Sequence, residues 1–375
     1  MGRLPAGVRR RNNGRYEKRF TVNGVRYSVY SDSLDELIKE EIKKREEIQQ
    51  GIYINADKIT LDLFFERYEK AKSGTVKDST LYTDKQLYKA ISAFQIDRTG
   101  KTLGTLKLKE IETQNVRDFQ KEQFELLGAP GANRRTMFLK MILNEAIKER
   151  LITWNPCTPI KTIRNNEKRA VDTYHRALTR EETKKFLECL RQNNSYYENI
   201  LRFMLYSGCR IGEALALQKS DIDRINNVIH INRTITKDEN GANIMGTDTK
   251  TKSGKRNIPL TNELKQVLFE QMEINKALQK RNFYNIIFQS AITGTIIQPE
   301  RVNKEIKRMC KLAGLEHFTS HALRDTFATR AIESGMNPKT LQMILGHSDI
   351  SMTMNLYCHV MEDTKSEEMK NIKVV

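Results

Sequence analysis

The stretch Thr319-Ser320-His321-Ala322-Leu323-Arg324 is followed by Leu345-Gly346-His347, and Tyr357 stands ten positions beyond His347. Well upstream, Arg210 sits in Ser207-Gly208-Cys209-Arg210-Ile211-Gly212-Glu213. Thr319 or Ser320 is placed to cap a helix opening at His321, so His321 and Arg324, at i and i+3, share a face. Backbone N–H groups at such a helix start favour an anion. Gly346 reads as the left-handed stop of a helix over 338–345, which leaves His347 exposed at the turn. Two guanidiniums and two imidazoles can hold a phosphate, and a phenol can attack it. Singly, each of these residues reads as ordinary structure: an arginine after a helix cap, a tyrosine in a core. The ordered set is what needs explaining.

Two further groups extend the set. Glu213 lies where it can pair with and orient Arg210, and Gly208 permits the turn before it. Thr249-Lys250-Thr251-Lys252-Ser253-Gly254-Lys255-Arg256 precedes Ile258-Pro259-Leu260, the pattern of an exposed hairpin tip. Lys250 or Lys252 at such a tip can protonate a leaving oxygen; a solvated charge run is the plainer alternative. His317, His321 and Asp325 are spaced by fours, but His317 precedes the helix cap and Arg324 would set a positive charge beside a cation. A metal site is therefore not expected.

The remainder of the chain organises around this half. Residues 178–375 predict a mixed, mainly helical domain: helices near 180–192, 195–207, 211–218, 261–280, 299–313, 321–334 and 338–345, and strands near 228–235 and 255–260. Thr179-Arg180-Glu181-Glu182 reads as a capping box. Residues 158–177 are polar and aperiodic, the pattern of a linker. Residues 57–157 predict a bundle of four helices, with apolar faces at Leu61, Phe64, Phe65, Tyr68; Leu81, Leu87, Tyr88, Ile91; Val116, Phe119, Phe124; and Met137, Leu139, Met141, Ile142, Leu143, Ile147. Gly128-Ala129-Pro130-Gly131 separates the last two. Residues 1–56 predict two strands around Asn23-Gly24, a hairpin signal, then a helix capped at Ser33 with Glu36 three residues on. The fold class is α+β and multidomain: a small N-terminal β-sheet plus helix, a helical bundle, and a mixed domain with a small β-sheet.

Charge narrows the partners. The chain has 375 residues with 64 Lys and Arg against 47 Asp and Glu, a formal net charge of +17, which favours polyanions. Arg9, Arg10, Arg11, Arg15, Lys18, Arg19 and Arg26 crowd the N-terminal sheet, a surface that could enter a DNA groove. The plain alternative is a charged hairpin that binds nothing. Five scattered cysteines without a CxxC pair fit a reduced compartment. No apolar run approaches a membrane span and no signal core opens the chain, so a cytoplasmic location is expected.

At Gly-x-Arg-x-x-Glu (Arg210), the hairpin lysine, His-x-x-Arg (His321, Arg324), Leu-Gly-His (His347) and Tyr357, the sequence resembles the tyrosine site-specific recombinases, the family of phage and transposon integrases. The motifs span about residues 175–365. Cys209 departs from the commoner small or Thr-like residue at that position. The resemblance implies that Tyr357 attacks a DNA phosphate to give a 3′-phosphotyrosyl bond and a 5′-hydroxyl, with Arg210, Arg324 and His347 on the phosphate and His321 as base. It favours Lys250 over Lys252 as general acid. It implies double-stranded DNA with core and arm attachment sites as substrate and a homotetramer on that DNA. An accessory DNA-bending or directionality protein is implied as well, and neither ATP nor metal as cofactor. The bundle resembles the family's core-site-binding domain and the basic sheet its arm-type domain. A type IB-like topoisomerase or dimer resolvase, and a non-catalytic DNA-binding protein, remain as alternatives; the basic sheet speaks against the first and the register of His347 and Tyr357 with the arginines against the second.

Overall fold

The computed structural model describes residues 4–11, 14–22, 25–49, 58–97, 100–164, 176–246 and 254–360. It divides into two compact units, residues 1–76 with 83–164, and residues 77–82 with 165–375. No helix among the described residues is long and apolar enough to cross a membrane.

In the first unit, strands β1 (Val8–Arg10), β2 (Tyr16–Val22) and β3 (Val25–Ser31) form an antiparallel sheet in that order, followed by helix α1 (Leu34–Gln49). The sequence suggested two strands; β1 is a third. Asn23-Gly24 lies outside the described residues. Pairing sets Glu17 opposite both Arg9 and Tyr30, and Phe20 opposite Tyr27. Period-two alternation then separates two faces. Phe20 and Val29 pack with Leu37 of α1, and Lys18 turns the same way to meet Glu41 at 2.6 Å. Glu17, Arg9 and Arg19 occupy the opposite face. At the start of α1, Ser33 Oγ accepts from the Glu36 N–H as expected, but the Glu36 carboxylate accepts instead from Ser31 Oγ.

Helices α2 (Leu61–Lys72), α3 (Asp78–Ser92) and α4 (Thr113–Lys148) make the bundle. Phe64, Ile91, Phe119, Leu139 and Ile142 fill its core, and the Phe65 and Tyr88 rings stack with centroids 3.6 Å apart. As expected, the third and fourth helices part at Gly128, whose φ of 72° and ψ of −178° are not helical, so α4 is two helical segments meeting at a kink. Helix resumes at once because Pro130 falls in the first turn after the kink, where its missing N–H costs nothing. Phe124, Met137 and Met141 are exposed rather than core. Part of the expected linker adheres to the bundle: Asn133 donates to the Ile163 carbonyl and accepts from its N–H, both at 2.9 Å, and Ile160 packs on the core.

The second unit opens with α5 (Arg180–Gln192), where Thr179 and Glu182 complete the reciprocal capping box. Next come α6 (Glu198–Ser207) and α7 (Ile211–Leu215). Strands β4 (Ile222–Asp223), β5 (Val228–Ile231) and β8 (Arg256–Pro259) form one sheet, and β6 (Ile235–Lys237) pairs with β7 (Asn243–Met245). That inserted hairpin goes beyond the two strands read from the sequence, because strands of three residues show no alternation. Helices α8 (Asn262–Leu278), α9 (Pro299–Ala313), α10 (Ser320–Glu333), α11 (Pro338–Leu345) and α12 (Ile350–Val360) complete the chain. α6 is apolar on nearly every side (Ile200, Leu201, Phe203, Met204 and Leu205 are all buried), so it is the central helix. The architecture is α+β and multidomain.

Candidate active site

α6 stops at Gly208, whose φ of +65° is left-handed. A Cβ there would lie 2.5 Å from the Phe327 ring, so only glycine lets the chain turn against α10. The turn delivers Arg210 to the start of α7 and points the Gly208 carbonyl inward. Arg324 of α10, 2% exposed, donates from Nη1 to that carbonyl and from Nη2 to the Leu345 carbonyl, both at 2.7 Å. One guanidinium thus satisfies carbonyls at the C-termini of α6 and α11, where helix dipoles favour a cation. Each Nη keeps a second N–H. Burial, and then the charge of Arg210, press the Arg324 pKa down to about 9. It stays a cation at neutral pH in a setting that would welcome an anion.

Glu213, 4% exposed, ties the arginines together. It accepts from the Arg210 backbone N–H at 2.9 Å and from Arg210 Nη1 at 3.0 Å. It also accepts from Arg256 Nη2 at 2.7 Å. Burial acts to raise its pKa, but the Arg256 hydrogen bond and the charges of Arg256 and Arg210 outweigh it and the net shift is downward. Arg210 is 40% exposed at its side chain, so it is the guanidinium of the group most open to a ligand.

Arg256 was missed in the sequence because it stands in a lysine-rich run that reads as solvated. It lies on the same face of β8 as buried Ile258, and that alternation was the available signal. Besides Glu213 it donates to the carbonyls of Ile344 and Gly254 and approaches Cys209 Sγ at 3.8 Å. His347, expected to be exposed, is half-buried, with Nδ1 2.9 Å from Thr353 Oγ1. Burial first, then the charges of Arg324, Arg210 and Arg256 and the neighbouring His321, push its pKa down to about 4. Those four side chains thus lie within electrostatic reach of His347.

His321 is on the first turn of α10 as expected, with Nε2 3.6 Å from Asp325 Oδ1. The helix start is capped from outside: the Ser320 N–H donates to Asn303 Oδ1 of α9, and the Thr319 side chain makes no cap bond. Lys250 and Lys252 lie outside the described residues. Tyr357 is not brought onto the cluster. It packs, partly buried, against the apolar cluster of Ala328, Ala331, Ile332, Leu341 and Leu345, its hydroxyl is buried without a hydrogen-bond partner among the described residues, and burial alone raises its pKa.

The arrangement can bind an oxyanion. Among Arg210, Arg256, Arg324, Glu213 and His347, three guanidiniums face one carboxylate and an imidazole that is neutral above about pH 5, leaving two uncompensated positive charges in a partly buried site.

On the N-terminal sheet, Arg9, Arg11 and Arg19 each bring Nε to Glu17, at 2.7, 2.9 and 2.7 Å. Arg26 is exposed. Arg10 donates to the Gly14 carbonyl and Arg15 pairs with Asp32 at 3.0 Å. Lys18, paired with Glu41, faces the helix rather than the open side.

Residues 176–363 match the phage integrase family. The transposase from transposon Tn916 of Enterococcus faecalis is 32% identical over 208 residues, 52% of this chain and 50% of that protein. The chain therefore spans about half the length of that relative. Several solved structures share the fold. The Tn1549 transposon integrase in complex with transposon right end DNA has a TM-score of 0.67 at 24% identity, covering 84% of this chain and 99% of that one. A lambda integrase tetramer bound to a Holliday junction has a TM-score of 0.58 at 22% identity, covering 92% and 96%.

Proposed function

The chain belongs to the phage integrase family, and on that premise we propose that it is a site-specific DNA recombinase that cuts and rejoins strands through a phosphotyrosyl bond at Tyr357. The observation that carries this reading is the cluster of Arg210, Arg256 and Arg324 around Glu213 and His347. Its two uncompensated positive charges suit a phosphodiester that gains negative charge as a fifth oxygen bonds to phosphorus.

In the proposed reaction the Tyr357 oxygen bonds to phosphorus and the bond from phosphorus to the 5′-oxygen breaks. The phenolic proton passes to His321, and Lys250 gives a proton to the departing 5′-oxygen. Arg210 and Arg324 hold the non-bridging oxygens and His347 donates a further hydrogen bond. Losing one such donor typically costs ~10²–10³ in rate. A 5′-hydroxyl from a second duplex then attacks the phosphotyrosine and the phenol regains its proton. One phosphodiester is exchanged for another at each step, so no ATP is required.

Tyr357 must first leave its present packing. Its buried hydroxyl has no partner among the described residues, and a buried hydroxyl left so costs about 1–3 kcal/mol, which a properly placed phosphate would relieve. With the pKa of Tyr357 raised, the stored phenol is protonated and a weak nucleophile.

The open face of the N-terminal sheet, with Arg9, Arg11, Arg19 and Arg26, is read as the surface for arm-type DNA, and the bundle as the core-site module. A homotetramer on DNA and an accessory DNA-bending or directionality protein belong to the same proposal; the lambda integrase tetramer supports the first. A duplex nicked near the exchange point tests the whole. Incubated with EDTA, it should yield a covalent protein–DNA product resistant to detergent. A mobility shift with no covalent product would instead mark a DNA-binding protein without the activity.

A further inference from the structure

The outward face of the N-terminal sheet has an acid at its centre, which is unexpected for a surface meant to meet DNA. Glu17 lies on the middle strand, opposite Arg9 of β1 and Tyr30 of β3. It is 0% exposed, covered by the arginines that surround it and not by the apolar core on the other face. Arg9, Arg11 and Arg19 each direct Nε at its two oxygens, Arg9 adding Nη2 at 2.7 Å. Arg11 lies over the Tyr30 ring, 5.1 Å from its centroid.

We propose that Glu17 is a positioning and specificity-determining residue: its carboxylate braces Arg9, Arg11 and Arg19 so that their terminal nitrogens face a DNA groove in one fixed array. This rests on the reading of the sheet as a DNA-binding module.

The geometry supplies the reason. An arginine has two hydrogen-bonding edges, and the Nε edge is the one turned down to the carboxylate, so the terminal Nη side turns away from the sheet. That side is the fork that matches guanine O6 and N7, or a phosphate, in a bidentate pair. Unbraced arginines lose large rotamer freedom on binding, and holding them beforehand removes most of that loss. Tyr30 stiffens the stack from the other edge strand. The three arginine bonds, Arg19 first, hold the Glu17 pKa down to about 2, so the brace stays ionised wherever a duplex is stable.

Two ideas about Glu17 then give opposite signs. If the acid is merely a negative charge on a DNA-facing surface, removing it tightens binding everywhere. If it is a brace, removing it weakens binding to the preferred sequence and leaves or slightly strengthens binding to any other.

The experiment uses the full chain. A duplex preferred by the sheet is selected from a randomised library, taking the sequence whose retention is lost in an Arg9→Ala, Arg11→Ala, Arg19→Ala variant. Affinities of wild type, Glu17→Gln and Glu17→Asp are measured on it and on a mixed-sequence duplex at one fixed salt concentration. Glu17→Gln should bind the selected duplex roughly ten-fold or more weakly and the mixed duplex at least as well as wild type. Glu17→Asp keeps the charge but withdraws the carboxylate by one methylene, and should also lose the preference. A circular dichroism spectrum and melting profile matching wild type show that the module is still folded. Equal or tighter binding of both variants to the selected duplex overturns the brace while the sheet remains a DNA module. If the library yields no sequence whose retention depends on the three arginines, the sheet is not such a module and both readings fall.

Discussion

Replacing Arg256 by lysine should separate the scaffold of the phosphate cluster from its ligands. The guanidinium, 5% exposed at its side chain, donates to Glu213 Oε2 at 2.7 Å, to the Gly254 carbonyl at 3.1 Å and to the Ile344 carbonyl. A lysine ammonium can keep the Glu213 bond but lacks the planar fork that reaches the other two. Hydrogen bonds to a charged donor contribute about 1.5–3 kcal/mol each. Losing two, with partial recovery through water, should cost about 2–3 kcal/mol. For a unit of this size that lowers the melting temperature by roughly 5–10 °C. Ile344 lies three residues before His347, so His347 shifts when its carbonyl loses the Arg256 donor. Single-turnover formation of the covalent product on a nicked duplex should slow by about 10²-fold, while DNA affinity stays within two-fold because Arg256 does not meet solvent. A melting temperature within 1 °C of wild type together with an unchanged cleavage rate would refute the reasoning.

Other substitutions probe the same site. Gly208→Ala meets the Phe327 ring at 2.5 Å and Leu345 at 2.9 Å in a left-handed turn, and should lose about 2–4 kcal/mol in urea unfolding. Glu213→Gln leaves three guanidiniums without their shared counter-charge and should cost about 3–5 kcal/mol, read from the same urea transition. The folded pKa of His347, about 4, lies below the ordinary 6.5, so the unfolded chain takes up the proton first. Its contribution to stability should therefore fall as pH drops from about 6.5 towards about 4, and His347→Gln should flatten that part of the profile. Histidine NMR should show its pKa rising when DNA fills the cluster, since an anion favours the charged ring.

Much of this was legible from residue pattern alone, and the exceptions have physical reasons. The Thr179 capping box, the Gly346 stop and the α9, α10 and α11 helices follow from local rules of three or four residues, which sequence displays directly. The order of Arg210, His321, Arg324 and His347 showed which side chains could converge, and the fold brings them together. Arg256 was hidden because a charge run looks solvated until strand alternation places it beside Ile258. Phe124, Met137 and Met141 looked like core because periodicity marks an apolar stripe without stating its width. The break at Gly128 was legible because glycine and proline mark a change of direction, and the chain departs from helix there before resuming it. Lys18 was grouped with the groove-facing arginines by composition, whereas register turns it towards Glu41. The packing of Tyr357 against the cluster of Ala328, Ala331, Ile332, Leu341 and Leu345 depends on how α12 settles on α10 and α11, and no local pattern encodes that.

The most direct test is to find where the DNA becomes attached. Covalent product formed on a nicked duplex is digested with protease and the nucleotide-bearing peptide identified by mass spectrometry, alongside Tyr357→Phe. The account predicts a nucleotide on the peptide containing Tyr357, and a phenylalanine variant that binds DNA normally yet forms no adduct. A nucleotide on any other residue, or an adduct that survives in Tyr357→Phe, would contradict it.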